Sequence, residues 1–291
     1  MTTRQPSQTQ GGLTYRQQQW LERAAIYLVL GVAALIVIVP LLWMVSTSLK
    51  LKSQLFLTEI YWIPKTITLE NYAKLLNNPA TPIVRWFFNT IGVATVSTIA
   101  VLFIDSLAGY AYARLEFPGR NQIFALLIAT LFLPGVMFLV PNFVTTYRLG
   151  LLNNYAGVIV PGLAGVFGVF FMRQFFESIP RELEEAAQID GASMFQTFFQ
   201  VVLPLARPAL ATLAVISFLA SWNDFLWALL ILKDRDLQTL QPGLRTLQGA
   251  YTSEYALMMA GAVVVAIPVL IIYIFLQRYI VQSVATTGLK G

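Results

Sequence analysis

Six apolar runs, at about residues 24–46, 87–111, 123–145, 155–171, 209–232 and 257–279, leave this chain few ways to fold. Most come close to the ~20 residues that an α-helix needs to cross the hydrocarbon of a bilayer. In hydrocarbon a backbone must satisfy its own N–H and C=O groups, so such runs predict helices. Composition agrees: 57% of the 291 residues are hydrophobic, 11% are charged and the mean hydropathy is +0.68, too apolar for a water-soluble domain of this length. The expected fold is an all-α integral membrane protein with six transmembrane helices over residues 24–282 and no soluble domain.

The connecting segments follow from composition. Residues 1–23, rich in Gln, Thr and Gly, read as a mobile tail, and residues 283–291 as a second, short tail. The first run is longer than a signal-peptide core and lacks a small-residue cleavage pattern, so it reads as a retained span. Thr47 to Trp86 is polar and carries turn signals at Pro64, Pro79 and Pro82, placing it outside lipid. The second run holds Asn89, Thr90, Thr95, Ser97, Thr98 and Asp105, and polar side chains in a span face other helices or a wet cavity. Asp105 admits two readings: a functional carboxylate in the membrane, or a residue near its helix end within reach of water or Arg114. Pro134 and Pro141 predict kinks in the third run. Ser221-Trp222-Asn223-Asp224 reads as a cluster that orders the fifth run near the interface, with solute contact as the other option.

Several chemistries are excluded. The chain has no Cys and no His, which removes disulfides, thiol catalysis, imidazole bases and the usual zinc ligands. It has no Gly-x-x-x-x-Gly-Lys-Ser/Thr loop to cradle ATP phosphates and no Gly-x-Ser-x-Gly elbow, so no catalytic residue, metal or cofactor is assigned to it. Its formal charge of +5 is scattered over loops rather than gathered into a patch, which argues against nucleic acid.

The polar stretch 180–204, set between the fourth and fifth runs, reads as a docking surface. Pro180 followed by Glu182, Glu184 and Glu185 starts a helix with the negative charge that free N-terminal amides favour. That helix should run to about Ile189 and break at Gly191, because glycine enters left-handed backbone without steric penalty. Ser193 can cap a second helix, whose Phe195, Phe198, Phe199 and Val202 fall on one face, and Pro204 closes it.

These residues resemble the Glu-Ala-Ala loop of bacterial ABC-importer permeases: Glu185, Ala186, Ala187 and Gly191, then Val201, Leu203 and Pro204. Ala108 to Arg114, Phe117 to Asn121, Ile189 to Ala192 and Ser221 to Phe225 extend the likeness to the smaller permease subunit of carbohydrate importers of the maltose-uptake type. The resemblance implies a homologous second permease, two nucleotide-binding ATPase subunits carrying ATP and Mg, and an extracytoplasmic solute-binding protein. Glu182, Glu185, Ala186, Ala187, Asp190, Gly191, Leu203 and Pro204 would then couple to the ATPase. Gly288, Lys290 and Gly291 would lie in a tail at the ATPase interface. Trp222, Asn223 and Asp224 would serve the pathway or the structure, and Trp222, Phe225 and Trp227 suit stacking on sugar rings. The 19 lysines and arginines divide almost evenly between the two sides, so charge bias does not orient the chain. The resemblance puts the loop and both termini in the cytoplasm of a bacterial-type inner membrane. An ion-coupled secondary transporter, using a carboxylate such as Asp105, is the alternative.

Overall fold

The computed structural model describes residues 15–55, 61–163, 165–250 and 255–288, with the side chains at 18, 248–250 and 276–288 excepted. Among the described residues every regular element is helical. Helix α1 (Tyr15–Ser48) includes the eight residues before Arg23, so the expected tail is helical from Tyr15 onward. The remainder of that tail, residues 1–14, lies outside the described residues.

Helix α1 ends in a folded polar cap. Asn71, on α3 (Glu70–Asn77), donates from Nδ2 to the carbonyls of Ser48 at 2.8 Å and Lys50 at 2.9 Å, satisfying acceptors that a helix C-terminus leaves open. Lys50 stands over the Trp43 ring and donates to the Tyr61 carbonyl at 2.6 Å. Burial lowers its pKa from the usual lysine value. The short α2 (Lys52–Leu55) completes this cap.

The organising element is α4 (Ile83–Arg114), which packs against α8 (Val166–Ser178) and α12 (Arg207–Trp222). Three polar side chains near its start are held by the segment 235–240. Asn89 donates to the carbonyls of Asp236 and Gln238, Thr90 accepts from the Leu240 amide at 2.7 Å, and the indole N–H of Trp86 donates to the Arg235 carbonyl at 2.7 Å. At the far end, Gly109 permits close approach to α8: a Cβ there would stand 2.8 Å from Met172 Cβ and 2.9 Å from the Arg173 amide nitrogen.

The third apolar run folds as α5 (Arg120–Thr130) and α6 (Leu139–Arg148), with a 98° bend at the expected Pro134 break. The fourth combines α7 (Tyr155–Ile159) with α8 at a 47° bend. Then come α9 (Glu182–Ile189), α10 (Met194–Thr197), a π-helical turn (Phe198–Val202) and α11 (Leu203–Leu205). The fifth run is not one helix as expected: α12 stops at Trp222, and α13 (Leu226–Ile231) follows a break around Asp224. After α14 (Leu240–Ala250), α15 (Tyr255–Gly288) runs through the start of the expected C-terminal tail. Among the described residues three helices, α1, α4 and α15, are each long and apolar enough to cross a membrane, and up to six spans result if each bent pair is one span.

Candidate coupling surface and membrane cleft

The backbone rules read for Gly191 and Ser193 act as expected. Helix α9 ends at Ile189, two residues before Gly191, whose φ is +86°. The Ala192 amide donates to the Ala187 carbonyl at 2.9 Å and the Gly191 amide to the Gln188 carbonyl at 3.0 Å, the two-bond cap that a left-handed residue allows. Ser193 and Gln196 then form a reciprocal capping box at the start of α10. The bend after this element falls at Ala206, two residues beyond Pro204, which lies inside α11 rather than closing the helix. There the Met194–Leu205 stretch meets α12 at 77°.

The expected single aromatic face is split in two. Phe198 and Val202 are buried in a cluster with Tyr110, Met172, Phe176 and Leu213, whereas Phe195 is 64% exposed and Phe199 44%. The π-helical turn widens the helix at this point, so a 3.6-residue periodicity misassigns the faces. Outward from the loop project the apolar Leu183, Ile189, Met194 and Phe195. Glu182, Glu185, Ala186, Asp190 and Gly191 are exposed beside them, while Ala187, Leu203 and Pro204 are half-buried. Acidic and apolar groups thus share one accessible surface.

What fastens this surface was not singled out from sequence. Glu184 is buried, unlike its neighbours, and accepts from Arg114 Nε on one oxygen and from the Tyr110 hydroxyl at 3.0 Å on the other. A second guanidinium nitrogen of Arg114 donates to the Ile179 carbonyl at 2.6 Å. Both ion-pair partners are under a tenth exposed, so the pair is nearly desolvated and all of its strong bonds are internal. Tyr110 and Arg114 stand four apart at the end of α4 and so share a helix face, the one signal that pointed toward a common partner.

Asp105 lies elsewhere: nine residues, about two and a half turns, separate it from Arg114 on α4, and it does not pair with that cation as one expected reading had it. It is fully buried, and neither carboxylate oxygen has a hydrogen-bond partner among the described residues. Its carboxylate packs on Gly168 of α8, where an added Cβ would overlap Oδ2 and stand 2.7 Å from Cγ. Asp105 lines a cleft of about 410 Å³ between α4, α7, α8 and α12, together with Ser97, Asn142, Ser217, Asp224 and Trp227. The Ser221 to Asp224 cluster divides. Trp222 is 1% exposed, stacked on Phe218 and edge-on to Phe87, so it is a core residue with no face free for a sugar. Asn223 donates to the Leu219 carbonyl, and Asp224 faces the cleft while accepting from the Trp227 amide. Phe225 is 38% exposed and faces a separate pocket. Of the tail residues, Gly288 is the last of α15, and Lys290 and Gly291 lie outside the described residues.

Residues 105–286 match the family described as "Binding-protein-dependent transport system inner membrane component". The chain is 37% identical over 260 residues to the arabinooligosaccharides transport system permease protein AraQ of Halalkalibacterium halodurans, covering 89% of this chain and 93% of the relative. It is 33% identical over 281 residues to the protein of the same name from Bacillus subtilis (strain 168), covering 96% and 100%. The fold superposes with a TM-score of 0.81 and 26% identity on a chain of a bacterial ABC transporter involved in the import of the acidic polysaccharide alginate, covering 93% of this chain and 99% of that one. The chain belongs to the family of binding-protein-dependent transport system inner membrane components.

Proposed function

We propose that this chain is one of two membrane-spanning permease subunits of an ATP-driven importer that carries a sugar or oligosaccharide into the cell. Its relatives named for arabinooligosaccharides, lactose and diacetylchitobiose support a carbohydrate, and its family supports delivery by a solute-binding protein. In this reading the chain crosses the membrane six times, both termini are cytoplasmic, and α12 with α13 forms the fifth span. ATP and Mg bind two partner ATPase subunits, and no chemical step occurs here. A family whose transport depends on a binding protein speaks against the ion-coupled carrier.

The observation that carries the reading is the bent α9–α10 pair, which shows acids and apolar side chains outward and is locked to α4 by Glu184. Seated in a cleft of an ATPase, it would pass closure of the nucleotide-binding subunits to α4 and the helices packed on it, switching the permease between inward-open and outward-open. Glu185 is exposed, so Glu185→Lys should leave folding intact. Charge reversal against a basic site on the ATPase should abolish ATP-driven uptake. Sugar uptake at the wild-type rate by this variant, in membranes of equal permease content, overturns the assignment.

A further inference from the structure

We infer that the cleft at Asp105 is a solute-binding subsite of this chain, built for an uncharged polyhydroxylated segment and against anionic ones. The inference rests on the permease reading and adds to it which subunit touches the solute, where, and of what charge. At about 410 Å³ the cleft falls within the ~300–1,000 Å³ range of small-molecule sites. Its described lining carries two carboxylates, Asp105 and Asp224, and no lysine or arginine. Ser97, Ser217 and Ser221 add hydroxyls, Asn142 an amide, and Trp227 and Phe167 aromatic surface.

Asp105 is the decisive group. Carboxylates are excellent acceptors, and burying one with neither oxygen hydrogen-bonded is costly. A structural carboxylate escapes that cost as Glu184 does, through donors on its own chain. Asp105 has none among the described residues, although Ser97, two helical turns back on α4, and Ser217 on α12 line the same cleft. Sugar hydroxyls are donors of the right kind: each can give a proton to a carboxylate oxygen and accept from a serine or asparagine in return. Aromatic side chains beside them suit the apolar faces of sugar rings. An anionic sugar would bring its own carboxylate in beside those of Asp105 and Asp224, in a low-dielectric cleft whose described lining has no cation to receive it. That sets this chain apart from its structural relative, which takes part in importing an acidic polysaccharide.

Because the chain has no cysteine, a single introduced thiol reports on one place. In the assembled complex with cysteine-free partners, Ser221→Cys would be reacted with cationic and anionic methanethiosulfonates of similar size. Asn121→Cys, exposed outside the cleft, provides the reference for intrinsic reactivity. The cationic reagent should label Ser221→Cys on the order of ten-fold faster relative to that reference, the scale on which a charged, enclosed surface concentrates counter-ions. Asp224→Asn should shrink the ratio, and so should Asp105→Asn where that variant assembles. Arabinotriose, lactose or diacetylchitobiose should slow labelling, and trigalacturonate at equal concentration should not. Equal labelling by the two reagents, no protection by any neutral sugar, or protection by trigalacturonate overturns the subsite. ATP-driven uptake measured on the same preparations separates the two readings: with uptake intact, any of those results removes the subsite alone, whereas a chain that never assembles with an ATPase removes the permease assignment itself.

Discussion

Two buried carboxylates, Asp105 and Glu184, lie against the same helix and live under opposite conditions. Glu184 takes a guanidinium on one oxygen and a tyrosine hydroxyl on the other, and the ring of that tyrosine packs on Phe176 and Phe198. Asp105, nine residues before Arg114 on α4, has no donor among the described residues and borders a cleft. A carboxylate whose needs are met internally fixes geometry. One whose needs are not met internally keeps its acceptors for something that comes and goes. The first sits at the surface through which force would enter and the second at the cavity through which solute would pass, with one continuous helix between them.

Removing the cation from the satisfied carboxylate should produce the largest effect. Arg114→Ala leaves Glu184 buried and uncompensated, a change that costs about 3–5 kcal/mol in comparable buried pairs. The expected outcome is a lower thermal unfolding midpoint in detergent and loss of ATPase co-purification. Replacing both partners, Arg114→Met with Glu184→Leu, should recover part of the stability, because an apolar pair avoids the unpaired charge while the Tyr110 hydroxyl and the Ile179 carbonyl still lose their partners. If Arg114→Ala unfolds at the wild-type temperature, Glu184 is not held as described and the contrast with Asp105 collapses.

The second test acts on the other carboxylate. Gly168→Ala places a Cβ where Asp105 Oδ2 lies, so the carboxylate or helix α8 must move, at a cost of about 1–3 kcal/mol for overpacking. Because the clash is with the side chain of Asp105 rather than with backbone, Gly168→Ala combined with Asp105→Ala should be more stable than the sum of the two single effects predicts. Additive effects in that double-mutant cycle, measured by thermal unfolding, would mean that the two residues are not in contact.

How much of this was visible in the sequence depended on distance along the chain. The stop at Ile189, the left-handed Gly191 and the Ser193 cap were legible because each rests on groups within five residues. The Pro134 bend was legible for the same reason. The link from Glu184 to Arg114 spans 70 residues, and three acids crowd the first turn of α9 with nothing local to show that the middle one turns inward. Aromatic periodicity failed at Phe195 and Phe199 because a π-helical turn changes the register that the reading assumed. Trp222 looked available for stacking because tryptophan at a membrane interface is amphipathic, yet Phe87 and Phe218 enclose it.

The smallest expected effect sharpens the comparison most, because it changes one bond and no shape. Tyr110→Phe deletes the hydroxyl that donates to Glu184 while leaving the ring against Phe176 and Phe198, at centroid distances of 5.9 and 4.8 Å. Glu184 keeps Arg114, so only one acceptor oxygen is left unmet, and a hydrogen bond to a charged group contributes about 1.5–3 kcal/mol. Some of that returns if Arg114 swings toward a bidentate arrangement, so a loss of about 1.5 kcal/mol is expected, at the lower end of that range. In a membrane complex it should register as a modest fall in unfolding midpoint with ATPase still bound. Coupling is the more telling readout: a slightly loosened α9 should let some ATP turnover proceed without uptake, raising the ATP hydrolysed per sugar imported. A wild-type ratio together with a lowered midpoint would confine Tyr110 to stability and leave Arg114 as the whole of the mechanical link.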